Sequence, residues 1–342
     1  MKVSFPSHSL PLISFATVLC CAPFAESADT GFSTKENPHG VDVLVNGQPF
    51  ASYVIDQANK PYLWPVFGPT GKAMTRAFPM QEVPEESKAQ RDHPHHRGIT
   101  FGHEDAAGSA TWPERLSYEK PLKAGEEPKP EDPRIAKLGR IQHVSFTLKA
   151  DAEHAVIEEH CNHVDSAGKR LFTEDRRLTF RATASTRTID FDQDFHATEG
   201  EVRFEDRKDA GLSIRVPSSM AVDTPSGGHI INSNKVMDKD AWAKSAKWCD
   251  YYGPVEGEVL GIAFFNHPSS YRYPTPWHVR TYGLFTANPF GSKSLDNTLP
   301  EAPTVVPAGG TLKLRHRFVF HKGDAESAHL EEAFAAYAAE TK

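Results

Sequence analysis

The sequence predicts an all-β protein, folded as one large antiparallel β-sandwich with a helix near its C-terminus. Three observations support this fold class. Segments in which apolar and polar residues alternate, as in half-buried strands, recur along most of the chain. Turn-forming residues separate these segments, and only one segment has the spacing of an amphipathic helix. The chain has 342 residues, 39% of them hydrophobic, which is enough for a sizeable core.

The predicted strands begin in the run VDVLVNGQPFASYVI (41–55). Its two β-rich halves flank Asn46-Gly47, a dipeptide that favours a tight hairpin turn. The later strands are predicted in HVSFTLKA (143–150), in 155–183 with a turn at 165–168, and in TIDFDQDF (188–195), VLGIAFFNH (259–267) and TLKLRHRFVFH (311–321). In TIDFDQDF, for example, aspartates alternate with apolar residues. Antiparallel strands of this kind carry a polar face opposite the core.

The C-terminal segment ESAHLEEAFAAYAAE is the exception to the strand pattern. Leu330, Phe334 and Tyr337 recur at spacings of four and three, which predicts a helix packed on a sheet. Residues 120–134 are charged and proline-rich and are predicted to form an exposed loop. Because the strand pattern resumes directly afterwards, residues 28–342 are predicted to form a single domain.

The first 27 residues have the layout of an export signal, with one lysine, an apolar stretch and small residues before Ala28. Removal of this segment would place the mature protein in the periplasm or outside the cell. A lipid anchor at Cys20 or Cys21 is the alternative. Export leaves Cys161 and Cys249, and sequence alone leaves open whether they form a disulfide or remain two buried thiols.

Composition and motifs argue against several classes of ligand. The net charge is −7 and the pI is about 6.2, which disfavours a nucleic-acid-binding surface. After the N-terminal segment, no apolar stretch approaches the ~20 residues that span a bilayer. The sequence has no paired-cysteine zinc motif, no phosphate-binding loop and no Gly-x-Ser-x-Gly elbow, so it predicts no cofactor. The oligomeric state is left open.

The first candidate site is the run RDHPHHRGITFGHED, which holds four histidines in a turn-rich stretch. His95 and His96 place groups that titrate near neutrality beside the permanent cation Arg97. A solvated turn with ordinary histidines would have the same composition. A metal site that also uses His93 and His103 is a further alternative, although the spacing matches no compact metal-binding motif.

Two later stretches carry further candidates. In FEDRKDAGLSIRV, Asp206 and Lys208 precede Arg215, an order that suits the edge of a substrate site and equally a solvated strand face. The richest stretch is KWCDYYGPVEG (247–257) followed by residues 264–291. Its candidates are Trp248, Asp250, Tyr251, His267, Trp277, His278, Arg280, Tyr282 and Asn288. Aromatic rings pack on sugar faces, and an arginine beside a histidine or tyrosine suits proton abstraction next to a carboxylate.

These stretches resemble the PmoA-like family of secreted bacterial proteins, which is commonly labelled "methane oxygenase PmoA" and is of unknown function. The resemblance runs from about Val41 to His321 and is most specific in GIAFFNHPSSYRYPTPWHVRTYGLFTANPFG. It implies a galactose-mutarotase-like supersandwich whose concave polar sheet face suits sugars. The methane monooxygenase subunit of that name is an integral membrane protein, so its activity is not implied for this chain. The sequence departs from the family pattern at 102–109, which weakens His103 and Glu104 as site residues.

The leading hypothesis is therefore a secreted carbohydrate-active enzyme, a lyase or hydrolase that acts on an acidic or modified saccharide. The predicted proton-transfer residues are His95, His96, Asp206 and His278. The predicted substrate-binding residues are Arg97, Lys208, Arg215, Trp248, Asp250, Tyr251, His267, Trp277, Arg280, Tyr282 and Asn288. The alternatives are a non-catalytic carbohydrate-binding protein and a metal-dependent enzyme centred on His93, His95 and His96. The enzyme hypothesis requires the segments near residues 95, 210 and 280 to converge on one hollow.

Overall fold

Eighteen β-strands dominate the computed structural model, which describes residue 1 and residues 31–84, 86–119 and 131–342. Almost all of the predicted signal segment, and residues 120–130 of the predicted loop, lie outside the described residues. Among the residues that are described, no helix combines the length and the apolar composition that a membrane span requires.

The strands of the first half of the chain are β1 (Phe32–Asn37), β2 (Gly40–Val45), β3 (Gln48–Val54), β4 (Tyr62–Val66), β5 (Ile99–His103), β6 (Arg140–Ala150), β7 (Ala155–Val164) and β8 (Arg170–Ala182). Those of the second half are β9 (Thr186–His196), β10 (Val202–Phe204), β11 (Ala210–Arg215), β12 (His229–Asn232), β13 (Trp248–Val255), β14 (Glu258–Asn266), β15 (Trp277–Val279), β16 (Leu284–Ala287), β17 (Thr304–Val306) and β18 (Thr311–Lys322). One α-helix, α1 (Leu330–Ala338), follows them, and short 3-10 turns span Arg115–Ser117, Pro133–Lys137, Ser218–Met220 and Asp238–Ala241.

The strands form two large antiparallel sheets of eight strands each. Sheet I has the order β1-β2-β3-β4-β5-β11-β16-β15, and sheet II has the order β12-β13-β14-β18-β9-β8-β7-β6. A separate pair joins β10 to β17. The predicted hairpin is present, because Val45 pairs with Gln48 across Asn46 and Gly47, which both have positive φ angles. The predicted antiparallel β-sandwich is confirmed.

A single apolar core lies between the two sheets. Phe101 of β5 packs on Phe195 of β9, with ring centroids 4.8 Å apart, and Phe264 of β14 packs on Phe285 of β16 at 5.5 Å. These contacts follow from strand alternation, which turns every second side chain inward. Cys161 and Cys249 are buried free thiols, so the two cysteines do not pair with each other.

The outer face of sheet II is divided between a helix and a polar surface. Leu330, Phe334 and Tyr337 of α1 are buried against Trp248 and Phe265 on this face, which confirms the predicted packing helix. Farther across the sheet, the outward side chains of β7, β8 and β9 are mostly charged. At the far edge, the register of β6 with β7 shifts between His143 and Ser145, which marks a β-bulge.

A buried ion-pair network interrupts the apolar core. Arg176 donates to the carboxylate of Glu174 at 2.5 and 3.0 Å and to the hydroxyl of Tyr53 at 3.1 Å. Tyr53 in turn donates to Glu159, whose carboxylate lies 3.8 Å from Arg176. Burial acts to raise the pKa of Glu174, but Arg176 and His163 together lower it to about 2, so this carboxylate stays charged. Because Tyr53 belongs to sheet I, the network links the two sheets.

We expect the substitution Arg176→Leu to lower the free energy of unfolding by about 3–5 kcal/mol, because it leaves buried carboxylates without their cation. The matched control is Arg177→Leu on the same strand, where the side chain is 50% exposed and pairs with Glu158 at the surface. The control should cost about 1 kcal/mol or less. Urea unfolding followed by circular dichroism measures both variants, and equal losses would contradict a structural role for the network.

Candidate functional site

Strand pairing in sheet I brings three distant segments to the same end of the sheet. β11 lies between β5 and β16, and β15 pairs with β16. In this register Ile214 lies opposite Ile99, and Arg215 lies opposite Leu284. The loop that precedes β5, the end of β11 and the turn between β15 and β16 therefore meet. The segments near residues 95, 210 and 280 therefore lie close together, as the enzyme hypothesis requires, and that they line one hollow stays a prediction.

The side chains in this region make two groups of contacts. In the first, Arg215 Nη1 lies 3.5 Å from His96 Nδ1, and its guanidinium lies 4.7 Å from the ring centroid of Tyr282. Tyr282 stacks on His93 with ring centroids 5.6 Å apart, and His95 contacts His96 at 4.4 Å. His95 Nδ1 also lies 2.9 Å from the hydroxyl of a serine, Ser117.

The second group surrounds His278. Arg280 Nε donates to His278 Nε2 at 3.3 Å, and the guanidinium of Arg280 lies 3.6 Å from the ring centroid of Trp242. Trp112 joins the two groups, because its ring lies 5.7 Å from that of His96 and 6.3 Å from that of His278. We call this set the histidine–arginine site; its members are His93, His95, His96, Trp112, Arg215, Trp242, His278, Arg280 and Tyr282.

A buried guanidinium, that of Arg76, fixes the loop before β5 that carries His93, His95 and His96, which we call the histidine loop. Arg76 donates to the backbone carbonyls of Phe78, Gln90, Asp92, His93 and His96. It also bonds the carboxylate of Asp92 at 2.9 Å, and that carboxylate accepts a second bond from Arg215 at 2.8 Å. Burial acts to raise the pKa of Asp92, but its bonds to His93, Arg215 and Arg76 lower it to about 2. The loop is thus tied to sheet I by a carboxylate that is ionised at neutral pH.

The end of the histidine loop requires glycine. Gly98 has a φ of +46°, and a Cβ at this position would lie 2.0 Å from the carbonyl oxygen of Leu63. A larger residue would push the loop away from β4. The turn into β5, and with it the position of His96, therefore depends on this glycine.

The hydrogen bonds of His96 and His278 assign them opposite neutral tautomers. A guanidinium only donates, so Arg215 directs the lone pair of His96 to Nδ1 and the proton to Nε2. A carbonyl only accepts, so His278 carries its proton on Nδ1, which donates to the backbone oxygen of Lys208 at 2.6 Å. The Nε2 of His278 then accepts from Arg280. One ring presents a donor at Nε2 and the other an acceptor.

Burial keeps these rings neutral. It lowers the pKa of His278 to about 4, with Asp209 opposing and Arg280 reinforcing the shift. Burial, then the nearby His95 and Arg215, lowers the pKa of His96 well below its ordinary value. The pKa of His95 falls to about 2, again mainly through burial. At neutral pH His95, His96 and His278 are therefore imidazoles, not imidazolium ions.

The three predicted arginines differ in how they are neutralised. Arg97 is bonded to the carboxylate of Glu114 at 2.9 and 3.0 Å, and Arg215 is bonded to that of Asp92 at 2.8 Å. Arg280 has no ion pair with any carboxylate of the described residues. Its guanidinium lies flat on Trp242 with only Nε engaged. Of these three cations, Arg280 is the one available to an anionic ligand.

Two of the predicted residues instead fix loops. The carboxylate of Asp206 accepts from the backbone N–H groups of residues 292, 293, 294 and 302 and from the hydroxyl of Ser294. Asn288 donates to the backbone oxygens of Arg207 and Lys208. The side chain of Lys208 is half-exposed and pairs with Asp209. Asp206 is therefore saturated with donors, which leaves no capacity for proton transfer, so our prediction of a catalytic Asp206 is not supported by its contacts.

Five further predicted residues lie outside the histidine–arginine site. Trp248 and His267 contact α1 or the segment after it, through Glu331 and the backbone oxygen of Glu340 respectively. The other three are buried: Asp250 is bonded to His321 within sheet II, Tyr251 donates to the backbone oxygen of Thr281, and Trp277 donates to that of Ala246. Strand alternation explains this outcome, because Trp277 and Tyr251 point into the core and Trp248 points to the opposite face of sheet II.

The sequence reasoning missed several members of the site. Trp112 and Trp242 lie in turn-rich segments without strand periodicity, where an isolated tryptophan gives little signal. His93 was weighed only as a metal ligand. In the part of the chain that the structure describes, no group of three or more His, Cys, Asp or Glu side chains is placed to hold a metal ion, so the metal-dependent alternative gains no support.

The fold and the site together define a class: an all-β sandwich protein with a polar, aromatic-lined candidate ligand site at one end of a sheet. The chain belongs to DUF6807, a family of unknown function, whose sequence model matches residues 40–335. A search of curated proteins found no match. The resemblance to the PmoA-like family stays a prediction.

Several solved structures are similar to this chain at low identity. They include the α-galactosidase AgaB from Geobacillus stearothermophilus, with 12% identity, a TM-score of 0.43, and coverage of 86% of this chain and 42% of that chain. An α-galactosidase from Lactobacillus brevis matches with 9% identity and a TM-score of 0.39 over 85% of this chain and 39% of that chain. A galactose mutarotase related enzyme from Lactobacillus acidophilus matches with 8% identity and a TM-score of 0.31 over 85% and 97%. The chain thus spans less than half of either α-galactosidase.

We expect nuclear magnetic resonance of ring nitrogens to find His278 as the neutral Nδ1–H tautomer and His96 as the neutral Nε2–H tautomer at pH 7. The bonds to Lys208 and Arg215 impose this difference. Both rings should remain neutral as the pH is lowered to about 5, since burial depresses both pKa values. Exposed His229 serves as the assignment control. Identical tautomers, or protonation of either ring above pH 6, would contradict the geometry.

The substitution Asp206→Ala should lower the free energy of unfolding by about 3 kcal/mol, because it strands several buried N–H donors. Glu301→Ala, in the same loop with an exposed side chain, is the matched control and should change stability by no more than about 0.5 kcal/mol. Chemical unfolding measures both variants. A fully stable Asp206→Ala protein would show that the loop does not depend on this carboxylate.

Proposed function

We propose that the protein is a carbohydrate-active enzyme that acts on an acidic saccharide at the histidine–arginine site. One observation carries this proposal: the guanidinium of Arg280 lies flat on Trp242, without a carboxylate partner in the described residues, directly beside the neutral His278. A guanidinium binds a carboxylate through two parallel hydrogen bonds. The arrangement therefore suits a ligand with a carboxylate next to its reacting carbon.

The aromatic residues of the site support a sugar as the rest of the ligand. Trp242 is half-buried and carries Arg280 on one face, so its other face is the one on which the C–H groups of a pyranose would pack. Trp112 is buried, and Tyr282 is covered by His93 and Arg215, so these two rings shape the site. Between these rings the imidazoles of His95 and His96 provide hydrogen bonds to hydroxyls. Rings that exclude water and a few fixed polar groups are the usual composition of a small-ligand site.

The opposite tautomers of the two histidines support an elimination reaction. Arg280 would turn from His278 to the carboxylate of the sugar, which frees the Nε2 lone pair of His278 and, through the added negative charge, raises the proton affinity of this ring. His278 would then take the proton from the carbon next to the carboxylate. The carbon–oxygen bond to the leaving sugar breaks as a carbon–carbon double bond forms. The Nε2–H of His96 donates a hydrogen bond to the leaving oxygen, which takes its proton from solvent water, and His278 returns its proton to the solvent.

Lyase chemistry is better supported than hydrolysis. Glycoside hydrolysis ordinarily uses two carboxylates that flank the bond to be cleaved. The two aspartates among the predicted site residues are both engaged elsewhere, since Asp206 accepts hydrogen bonds from a loop and Asp250 is bonded to His321 in sheet II. Neither belongs to the histidine–arginine site.

The experiment is a panel of uronate-containing and neutral polysaccharides, assayed by the ultraviolet absorbance of the double bond that elimination creates. On a uronate substrate, His278→Ala should lower kcat by about 10²–10⁴-fold and leave ligand binding nearly unchanged. Arg280→Ala should weaken binding of acidic glycans more than that of neutral ones. The control is Arg170→Ala, an exposed arginine of sheet II that pairs with Glu199, which should behave as the unsubstituted protein.

Two outcomes would count against the proposal. If acidic glycans bind but no product forms on any of them, the protein is a carbohydrate-binding module without catalysis. If neutral glycans bind as tightly as acidic ones and Arg280→Ala has no effect on either, the acidic group is not what the site recognises.

A further inference from the structure

A cavity lies on the outer face of sheet II, apart from the histidine–arginine site on sheet I. Its volume is about 650 Å³, which is large enough for a short oligosaccharide. The outward side chains of β7, β8, β9 and β18 form its floor, and residues 340–342 form one wall. No residue of the histidine–arginine site lines it.

One corner of this cavity holds an ammonium group of the protein itself. Lys342 Nζ lies 2.9 Å from Asp190 Oδ2, 3.4 Å from Asp192 Oδ2 and 3.7 Å from Glu340 Oε2. The same ammonium lies 5.4 Å from the ring centroid of Tyr337. Carboxylates on one side and an aromatic ring on the other are what a primary ammonium group binds in proteins. The Lys342 side chain is only 10% exposed, so most water is excluded from its ammonium group.

The charges of this corner balance only when a cation is present. Asp190 is also bonded to Arg181 and Arg317, and Arg317 bonds Glu340 as well. Asp192 has Lys342 as its sole hydrogen-bonding partner among the described residues, and its Oδ1 is buried without a partner there. Burial raises the pKa of Asp192 to about 6, with Lys342 opposing this shift and Asp190 adding to it. If the Lys342 side chain moves away, the carboxyl group of Asp192 stays buried and loses its positively charged partner.

The remainder of the cavity is lined by groups that suit hydroxyls. Ser145, Thr147 and Thr179 supply hydroxyl groups, and Phe146 supplies a half-buried ring at the same wall. Most charged side chains around them are already paired, as Arg177 is with Glu158. Such pairs present donors and acceptors to a polyhydroxylated ligand without adding net charge.

We propose that this cavity binds a saccharide that carries a free primary amino group, and that the side chain of Lys342 occupies the ammonium position when the saccharide is absent. The proposal does not depend on the function proposed for sheet I. The ligand would displace the Lys342 ammonium and place its own between Asp190 and Asp192. The side chain of Lys342 thus competes with the ligand for the same position between Asp190 and Asp192.

The test is calorimetric titration of the full chain at neutral pH with glucosamine disaccharide, with its N-acetylated form and with methylamine. Lys342→Ala should bind glucosamine disaccharide at least about tenfold more tightly than the unsubstituted protein, because no competitor remains. The N-acetylated disaccharide should not bind, since it has no ammonium group, and methylamine should bind far more weakly than the disaccharide. Adding Asp192→Asn to Lys342→Ala should remove the gain.

Controls keep the proposal falsifiable. Arg280→Ala alters the other site and should leave these titrations unchanged, which separates failure here from failure of the proposed lyase. Thermal unfolding verifies that each variant is folded. Equal binding of glucosamine disaccharide by the Lys342→Ala and Lys342→Ala/Asp192→Asn proteins, equal binding of the N-acetylated form, or equal affinity for methylamine would each overturn the proposal.

Discussion

A single buried guanidinium, that of Arg76, satisfies five backbone carbonyls of a loop that contains neither helix nor strand. Buried carbonyls without partners are costly, so this loop has one favourable conformation, the one in which its oxygens converge on Arg76. Asp92 then bridges Arg76 to Arg215 at the end of β11. This bridge helps to set the distance between sheet I and the loop that carries His93 and His96.

Buried charged residues play different roles in the core and at the histidine–arginine site. Within the core, Arg176 and its carboxylate partners are matched and sealed, so they connect the sheets but offer nothing to a ligand. At the histidine–arginine site the balance is incomplete, because Arg280 is held by an aromatic face instead of a carboxylate. Matched pairs provide structure, and the unmatched cation is where binding is expected.

The fold could be predicted further than the site. Alternating segments and one amphipathic run were sufficient for the antiparallel sandwich and for α1, because these patterns are local. The site depends on which side chain faces which way at strand ends, which sequence alternation alone does not determine. The spacing of His278, Arg280 and Tyr282 suits one face of a single extended strand. Instead β15 ends at Val279, and the other two residues come from the turn that follows. Asp206, Trp248 and Trp277 have the chemistry of site residues, but their polar atoms are satisfied by loops, by α1 and by the core. A hydrogen bond between a side chain and a backbone group far away in the sequence leaves no pattern in the sequence.

The bulge in β6 has a consequence for how molecules of this protein meet one another. β6 is the terminal strand of sheet II and has eleven residues; at the start of its far edge the N–H of Ile141 donates to the backbone oxygen of Asn59, and no strand of the described sheet pairs with that edge. A straight edge of this length would be a template onto which a neighbouring chain could add a strand. The register shift between His143 and Ser145 leaves Val144 about half exposed and breaks the regular spacing of N–H and C=O groups. The irregularity therefore guards against strand addition at the longest terminal strand of the two sheets.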